Sequence, residues 1–356
     1  VLDSIILTHP QVLGFYTVRV VNMSIEHGIN EYISNAYVFN ALIQSSQKNY
    51  EIANRYVSLA MRLNEQRFKV GGLRCKIHHI NSFMRNLKEP LTNANFLETF
   101  KIGLETGDNV YASFACAVAI RYSFPKNIQE AFNTLHIALP FLRKINNIPI
   151  LAHAELVHGV LQCLQGKTKD TTSFDSLDQT DETSVTQKNF VLFGDGKSAM
   201  MWSFIPCYTL QVCVLFEQYE QGLPYVYERV KWVDESGTGG TDLQFRSEYF
   251  FYSGIILTHL YPKADQARQT EYKGIINECI EELRLLASSA PYNFDHLLKG
   301  LQAEKARITG DIVQAMDWYD EAIKQAKQSE FLKDEALLSE LAAKFWLAQQ
   351  KENFAE

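Results

Sequence analysis

The feature that most constrains the fold of this chain is a spacing of small and apolar residues that occurs three times. Each time, an alanine is followed by a second alanine 12 residues later, a larger apolar residue after 4 more, and a third alanine after 3 more. Small residues at such intervals lie where the two helices of a hairpin cross closely, and the larger residue fills the space one turn away. The three windows are Ala41, Ala53, Val57 and Ala60; Ala119, Ala131, Leu135 and Ala138; and Ala303, Ala315, Tyr319 and Ala322.

The predicted turns agree with this pattern. The segments Thr106–Asp108 and Thr309–Asp311 both read Thr-Gly-Asp. Glycine adopts the left-handed conformation that ends a helix, and the aspartate carboxylate accepts N–H bonds at the start of the next helix. The second alanines, Ala53, Ala131 and Ala315, are 78 and 184 residues apart, and neither distance is a multiple of the ~34 residues of a regular two-helix repeat. We therefore expect irregular repeats with longer helices or insertions between them.

Few helix breakers interrupt the chain, which has 18 Gly and 9 Pro among 356 residues. Its 46% hydrophobic content suffices for a large core, and with so few breakers it predicts an all-α protein. The fold that we expect is an irregular tetratricopeptide-like superhelix, an α-solenoid of stacked helical hairpins. The predicted helices are Tyr32–Ser45, Tyr50–Leu63, Val110–Tyr122, Ile128–Ile145, Ile150–Leu164, Ala199–Gln221, Tyr225–Trp232, Phe245–Leu260, Gln266–Ala287, Asp295–Ile308, Ile312–Lys327 and Glu330–Gln349.

Two polar stretches divide the chain. The stretch Gln165–Lys188 is rich in Thr, Ser, Asp and Gln, which predicts an exposed loop. A second break, Asp234–Thr241, contains three glycines. We expect N-terminal repeats over residues 1–164, a polar insertion over 165–198 and C-terminal repeats over 199–356, all in one continuous superhelix.

Charge and cysteine content narrow the function classes. With 34 Lys and Arg against 41 Asp and Glu, the net charge of −7 disfavours nucleic-acid binding, which needs a positive surface. No apolar stretch reaches the ~18 residues of a membrane span, so we expect no membrane insertion. The six cysteines have no C-x-x-C spacing and lie in apolar runs, which indicates buried thiols in a reducing, cytoplasmic setting. The chain starts at Val1 without an initiator Met, so we interpret it as a piece of a longer protein. Val1–Leu13 has no basic start and no cleavage site, so we expect no signal peptide there.

The most nucleotide-like motif is Gly194–Ala199, which reads Gly-Asp-Gly-Lys-Ser-Ala after an apolar run. A phosphate-binding loop needs a further glycine at the position that Val191 occupies, so the cradle of backbone N–H groups is incomplete. A dinucleotide site would also need alternating strands and helices, which the pattern does not indicate. We interpret the motif as a loop that enters a helix and keep a nucleotide-binding enzyme using Gly194–Ser198 as an alternative.

Two histidine pairs resemble metal motifs without their geometry. His153 and His158 are five residues apart, which places them about 140° apart around a helix, whereas zinc motifs of the H-E-x-x-H type need four. Cys75 and His78, with His79 next to them, have no second ligand pair nearby in the sequence. We expect no metal site, no cofactor and no catalytic residue in this chain.

A set of packing and capping positions extends over nearly the whole chain and is most specific in its C-terminal part. These positions are Pro291–Phe294, Leu301–Arg307, Gly310, Ala315–Ile323, Phe331, Glu335–Ala336 and Glu340–Ala348, with Tyr50–Leu63, Cys75–Lys76 and Gly103–Ala112 in the N-terminal half. With them the chain resembles the helical-repeat region of large multidomain signalling proteins that join a serine/threonine-kinase-like domain, an ATPase domain and a sensor histidine kinase.

The resemblance implies a regulatory spacer or sensory relay that binds a protein or peptide segment, such as other domains of the same polypeptide. In the tetratricopeptide frame, the first helix of each pair lines a concave groove. The groove residues that this frame implies are Asn35, Leu42, Ser45, Cys116, Ile120, Glu304 and Arg307. The chain is thus expected to act without catalysis in a larger signal-transduction kinase. The alternatives are a stand-alone regulator that binds a small peptide or effector, and the nucleotide-binding enzyme above.

Overall fold

A computed structural model describes residues 10–47, 49–85, 89–177, 204–228 and 243–349 of the chain. In these ranges the secondary structure is helical, and the only β pairing is an isolated bridge between Thr168 and Ser176. The prediction of an all-α protein is confirmed. The α-helices are α1 Pro10–His27, α2 Ile33–Ser46, α3 Tyr50–Arg62, α4 Gly71–Arg85, α5 Ala94–Thr106, α6 Asn109–Ser123, α7 Ile128–Ile145, α8 Ile148–Leu164, α9 Phe204–Leu215, α10 Tyr219–Tyr227, α11 Leu243–Leu260, α12 Gln266–Ser289, α13 Pro291–Thr309, α14 Ile312–Gln328 and α15 Leu332–Ala348.

The predicted small-residue windows fall on three helical hairpins. They join α2 to α3, α6 to α7, and α13 to α14, and the two helices of each pair pack on each other. All twelve residues of the windows are buried, from Ala41 in the first to Ala322 in the last. The interpretation of the alanines as helix-crossing positions is therefore confirmed.

The two predicted helix caps are also confirmed. Asp108 accepts a hydrogen bond from the backbone N–H of Tyr111 at 3.1 Å, and Asp311 accepts one from Gln314 at 3.1 Å. The preceding glycines have φ angles of +73° and +81°, which is the left-handed conformation that glycine adopts without strain. The Thr-Gly-Asp turns thus end one helix and start the next, and Asp108 has a structural role.

Contacts between alternate helices extend along the chain. Besides each helix packing on its neighbour, α2 contacts α4, α4 contacts α6, and α6 contacts α8. A second series runs from α9 through α11 and α13 to α15, and α8 contacts α9 where the two series meet. One large apolar cluster includes side chains from both series. A smaller cluster is formed by side chains of the helices from α5 to α9.

The prediction of one helix over Ala199–Gln221 is wrong in its described part. α9 ends at Leu215, and Glu217 adopts a φ of +56° while the N–H of Gln218 bonds the carbonyl of Cys213 at 2.7 Å. This left-handed turn is a helix C-cap that forms without glycine, so no breaker residue marks it in the sequence. α10 then begins at Tyr219, before the predicted start at Tyr225, and it ends at Tyr227.

The described part of the polar insertion, residues 165–177, folds back on α8 and is not a fully exposed loop. The Phe174 side chain is buried, and its backbone lies so close to Gly159 that a Cβ there would be 2.4 Å from the Phe174 carbonyl oxygen. The Cys163 thiol also contacts the carbonyl of Thr171 at 3.3 Å. Phe174 is thus the buried apolar contact of this segment, and backbone hydrogen bonds such as that from Leu177 to Lys167 hold it as well. The remainder of the insertion and the Asp234–Thr241 break lie outside the described residues.

All six cysteines lie in described helices as buried thiols. Burial raises the pKa of Cys75, Cys116 and Cys213 to about 12, which keeps these side chains as neutral apolar groups at neutral pH. Within the part of the chain that the structure describes, no helix has both the length and the apolar character of a membrane span.

Candidate functional site

The seven residues of the expected groove do not form one open surface. Ser45, Cys116, Ile120 and Glu304 are buried, and Asn35, Leu42 and Arg307 are partly covered. Leu42 packs against the larger apolar cluster, whereas Cys116 and Ile120 belong to the smaller one. Asn35 accepts a hydrogen bond from Lys76 on α4 at 3.1 Å. Of the seven, Glu304 and Arg307 bond each other directly, and a ligand on the described surface would not reach the four buried side chains.

The buried carboxylate of Glu304 collects donors from three helices. Arg307 of the same helix donates through Nη2 at 2.6 Å, Thr258 of α11 donates at 3.0 Å, and the Tyr319 hydroxyl of α14 donates a short hydrogen bond. The His259 ring lies 3.7 Å away. Burial alone would raise the pKa of Glu304, but Arg307, His259 and Tyr319 together hold it below its ordinary value. These contacts fix α11, α13 and α14 to one another.

A second polar network, which we call the lysine network, lies where α9, α11 and α15 meet. The Lys333 side chain is buried, and its Nζ donates to the Tyr252 hydroxyl at 2.9 Å and to Gln211 Oε1 at 3.2 Å. The carboxylates of Asp334 and Glu248 lie 3.5 and 4.0 Å from the same nitrogen. A buried ammonium with two carboxylates and two neutral polar groups has its charge compensated inside the protein.

Aromatic rings and amides complete the lysine network. The Lys333 Nζ lies 4.9 Å from the centroid of the Phe124 ring, at the end of α6, and 5.2 Å from that of Tyr252. Glu248 accepts hydrogen bonds from Gln211 at 3.0 Å and from Gln244 at 3.1 Å. The network therefore connects the α6 end of the N-terminal half to three helices of the C-terminal half.

The charges in this network shift one another's pKa values. Burial alone would lower the pKa of Lys333, but the Tyr252 phenol, Asp334 and Glu248 raise it above its ordinary value. Burial alone would raise the pKa of Asp334, but Lys333 and His296, whose Nε2 lies 3.1 Å from Asp334 Oδ2, hold it low. For Glu248 burial dominates, and its pKa is raised despite Lys333 and Arg121. The ammonium and the Asp334 carboxylate are thus both charged at neutral pH.

Two further contacts join segments that are far apart in the sequence. Lys126, in the turn after α6, donates from Nζ to the carbonyl of Ser329, and its own carbonyl accepts from the N–H of Leu332 at 3.2 Å. The Lys126 ammonium also lies 4.6 Å from the centroid of the Phe331 ring. We call these Lys126 contacts the half-to-half junction.

The second contact is made by Asn293. Its side chain accepts a hydrogen bond from the N–H of Leu91 at 2.7 Å and donates one to the carbonyl of Glu89 at 3.0 Å.

Three of the four histidines that the sequence singled out have protein partners: two are packed against aromatic rings and one pairs with a carboxylate. His153 is buried, and the centroid of its ring lies 4.2 Å from that of Phe204. His79 is buried among aromatic rings of α4, α5 and α6. His78 instead pairs with Glu65 at 2.8 Å. Nowhere in the described ranges do three His, Cys, Asp or Glu side chains come together as a metal ion requires. The Gly194–Ser198 motif lies outside the described residues.

Sequence reasoning missed the lysine network. The available signal was the placement of charges inside apolar runs: Glu248 precedes four consecutive aromatic residues, and Lys333–Asp334 follows Phe331–Leu332. A charged residue in such a run is buried only when another segment supplies its partner, which local patterning does not reveal. A comparison with models of known protein families found no match to this chain, and a search of curated proteins found no similar sequence.

Proposed function

We propose that this chain is a non-catalytic interaction and relay module of a larger cytoplasmic signalling kinase, and that its helices form a tetratricopeptide-like superhelix. The contacts of each helix with its neighbours and with alternate helices support the stacked arrangement. The sequence resemblance supports the kinase context. In this proposal the module binds a protein or peptide segment and passes a change in one half to the other.

The half-to-half junction is the observation that carries the relay. It couples the turn after α6 to Ser329, 203 residues away, through a side-chain bond, and to the start of α15 through a backbone bond. A displacement of α6 or α7 would therefore act directly on α14 and α15, without passing through the intervening helices. The lysine network joins the same two segments through Phe124 and Lys333, so a change at the junction would also reach the buried charges beside it.

The proposal is tested first on the gene that encodes the chain. Flanking segments that encode an ATPase domain on one side and a histidine-kinase domain on the other are the expected result. An open reading frame without kinase segments would overturn the kinase context and favour a stand-alone regulator that binds a peptide or effector.

The relay is tested in the full-length protein by autophosphorylation. Lys126→Met removes the bond to Ser329 and is expected to change the phosphorylation rate severalfold, whereas Lys263→Met removes only an exposed ion pair with Glu220 and is expected to leave it unchanged. Equal rates for both variants and the natural protein would argue against the junction as a relay.

The nucleotide-binding alternative has its own test. Titration of ATP into this chain and into Lys197→Ala, at equal protein concentration, is expected to give no binding in either. Binding that the substitution abolishes would replace the proposed function with a nucleotide site in the Gly194–Ser198 loop.

A further inference from the structure

Helix α1 presents apolar side chains to solvent on the side opposite its packed face. Its buried residues are Leu13, Thr17 and Ser24, and α2 is its main packing neighbour. On the exposed side of α1, Phe15, Val18 and Ile25 share one strip with Asn22, at the i, i+3, i+7 and i+10 spacing of a helix-pairing seam. Ile25 is exposed by 75%, Phe15 by 64% and Val18 by 49%. We call this strip the outer face of α1. An exposed apolar strip of this kind is typical of an interaction site in a folded protein.

Two opposite charges flank the outer face along one edge. At about 100° per residue, Arg19 and Glu26 lie on the line directly opposite Thr17 and Ser24, beside the strip that contains Phe15 and Asn22. Arg19 and Glu26 are seven residues apart, which is about 10.5 Å along a helix axis. Glu26 also lies 3.8 Å from the ring of His27 in its own helix. The apolar surface therefore carries one positive and one negative position, two turns apart.

This arrangement is self-complementary in one orientation only. When two α1 helices pack antiparallel about a two-fold axis near Asn22, Arg19 of each copy faces Glu26 of the other, which gives two equivalent ion pairs. Parallel packing in register would instead place Arg19 against Arg19 and Glu26 against Glu26. Isologous contacts with this pairwise symmetry are the commonest form of homo-oligomer interface.

We propose that the outer face of α1 is a homodimer interface, in which the α1 helices of two copies of this chain pack antiparallel with Asn22 at the centre. Phe15, Val18 and Ile25 supply the apolar contacts, and the two Arg19–Glu26 pairs fix the orientation. The proposal goes beyond the relay function and does not depend on it, because it uses no residue of the half-to-half junction or of the lysine network.

The test uses the complete 356-residue chain in sedimentation velocity over a range of concentrations. The expected species is a dimer of twice 40.7 kDa that dissociates on dilution. Arg19→Glu and Glu26→Arg each create two like-charge contacts, and each is expected to weaken dimerisation about tenfold or more. Mixing the two variants is expected to restore dimers, because each carboxylate of the Arg19→Glu chain then faces a guanidinium of the Glu26→Arg chain. The double variant restores homodimers for the same reason.

Matched controls separate this interface from a general charge effect. Glu51→Arg and Arg55→Glu reverse the charges of an exposed ion pair on α3 and are expected to leave dimerisation unchanged. Circular dichroism checks that every variant is folded, which is expected since all these side chains are exposed. A monomer at every concentration, or dimers that are unaffected by both single reversals, would overturn the proposal and mean that the face is covered in another way.

Discussion

The Lys333 ammonium donates a hydrogen bond to the hydroxyl of Tyr252, 81 residues earlier in the chain, at 2.9 Å. Both side chains are buried, and they belong to α15 and α11, which are not neighbours in the sequence. The contact exists because α9, α11 and α15 converge on one point, where Lys333 is also the positive partner of Glu248 and Asp334. Each of these helices thus depends on the other two for the satisfaction of a buried charge.

Lys333→Met is expected to lower the free energy of unfolding by roughly 3–5 kcal/mol. The methionine fills a similar volume, but Glu248 and Asp334 lose their common cation in a buried setting. Urea unfolding followed by circular dichroism measures the loss. The matched control is Lys344→Met, which removes a partly exposed lysine that pairs with Glu340 at 2.6 Å and with Glu217, and which is expected to cost about 0–1 kcal/mol.

A second substitution checks the cause. Adding Glu248→Gln to Lys333→Met removes one of the two uncompensated carboxylates, so the double variant is expected to be more stable than Lys333→Met alone. If Lys333→Met were as stable as Lys344→Met, the buried charges would not hold these helices together.

His79 is expected to make the protein less stable as the pH falls from about 6.5 towards 3. Its ring lies 5.2 Å from Phe83 and 5.7 Å from Tyr111, and burial lowers its pKa to about 3. Between those pH values the unfolded chain binds a proton that the folded chain does not, so protonation favours unfolding. At pH 5 the effect of one such histidine is roughly 2 kcal/mol.

The measurement is the urea midpoint of the natural protein and of His79→Phe between pH 7.5 and pH 4.5. Phenylalanine keeps the aromatic contacts and cannot be protonated. The urea midpoint of the variant is therefore expected to fall less than that of the natural protein as the pH falls. His153, with its pKa also lowered to about 3 by burial and Arg121, keeps part of the pH dependence in that variant. The control is His136→Phe, on the exposed side of α7, which is expected to follow the pH dependence of the natural protein. If the urea midpoint of His79→Phe had the same pH dependence as those of the natural protein and His136→Phe, the expectation would be contradicted.

Asn293 is expected to hold the segment before α5 against α13. Asn293→Ala removes its bonds to Leu91 and Glu89 and leaves a buried N–H without an acceptor, which costs about 1–3 kcal/mol. Hydrogen exchange at the Leu91 amide is expected to become faster, a local readout that a general loss of stability would not single out. Asn133→Ala, whose side chain bonds Gln129 on an exposed surface, is expected to change stability by less than about 0.5 kcal/mol.

The hairpins could be predicted from the sequence because their signal is local. The alanines of each window lie within 20 residues of one another, and their spacing directly reports where two consecutive helices touch. The caps at Asp108 and Asp311 are equally local. Long-range contacts leave no such periodicity, which is why the lysine network and the half-to-half junction were not predicted.

Two of the helices that the sequence did not predict, α1 and α4, have physical reasons for their weak signals. α1 has apolar residues on its exposed side as well as on its packed side, which weakens the amphipathic pattern of a surface helix. α4 begins with Gly71 and Gly72, which favour a turn over a helix. The groove residues were inferred from a frame in which the inner helices face an open surface, whereas Cys116 and Ile120 of α6 are covered by the smaller apolar cluster.

Glycine substitutions are expected to have opposite effects at two positions. Gly103 lies where α5 crosses α6, and a Cβ there would be 2.6 Å from the Cβ of Ala112 and 3.1 Å from its Cα. Because backbone cannot move aside as a flexible side chain can, Gly103→Ala is expected to cost about 1–3 kcal/mol. Gly274 of α12 is exposed, and a methyl group added there would have no neighbouring atom within 4 Å, so Gly274→Ala is expected to gain about 0.4–1 kcal/mol from higher helix propensity. Thermal unfolding of the two variants and the natural protein measures both changes in stability. If Gly103→Ala were stabilising, α5 and α6 would not be in close backbone contact.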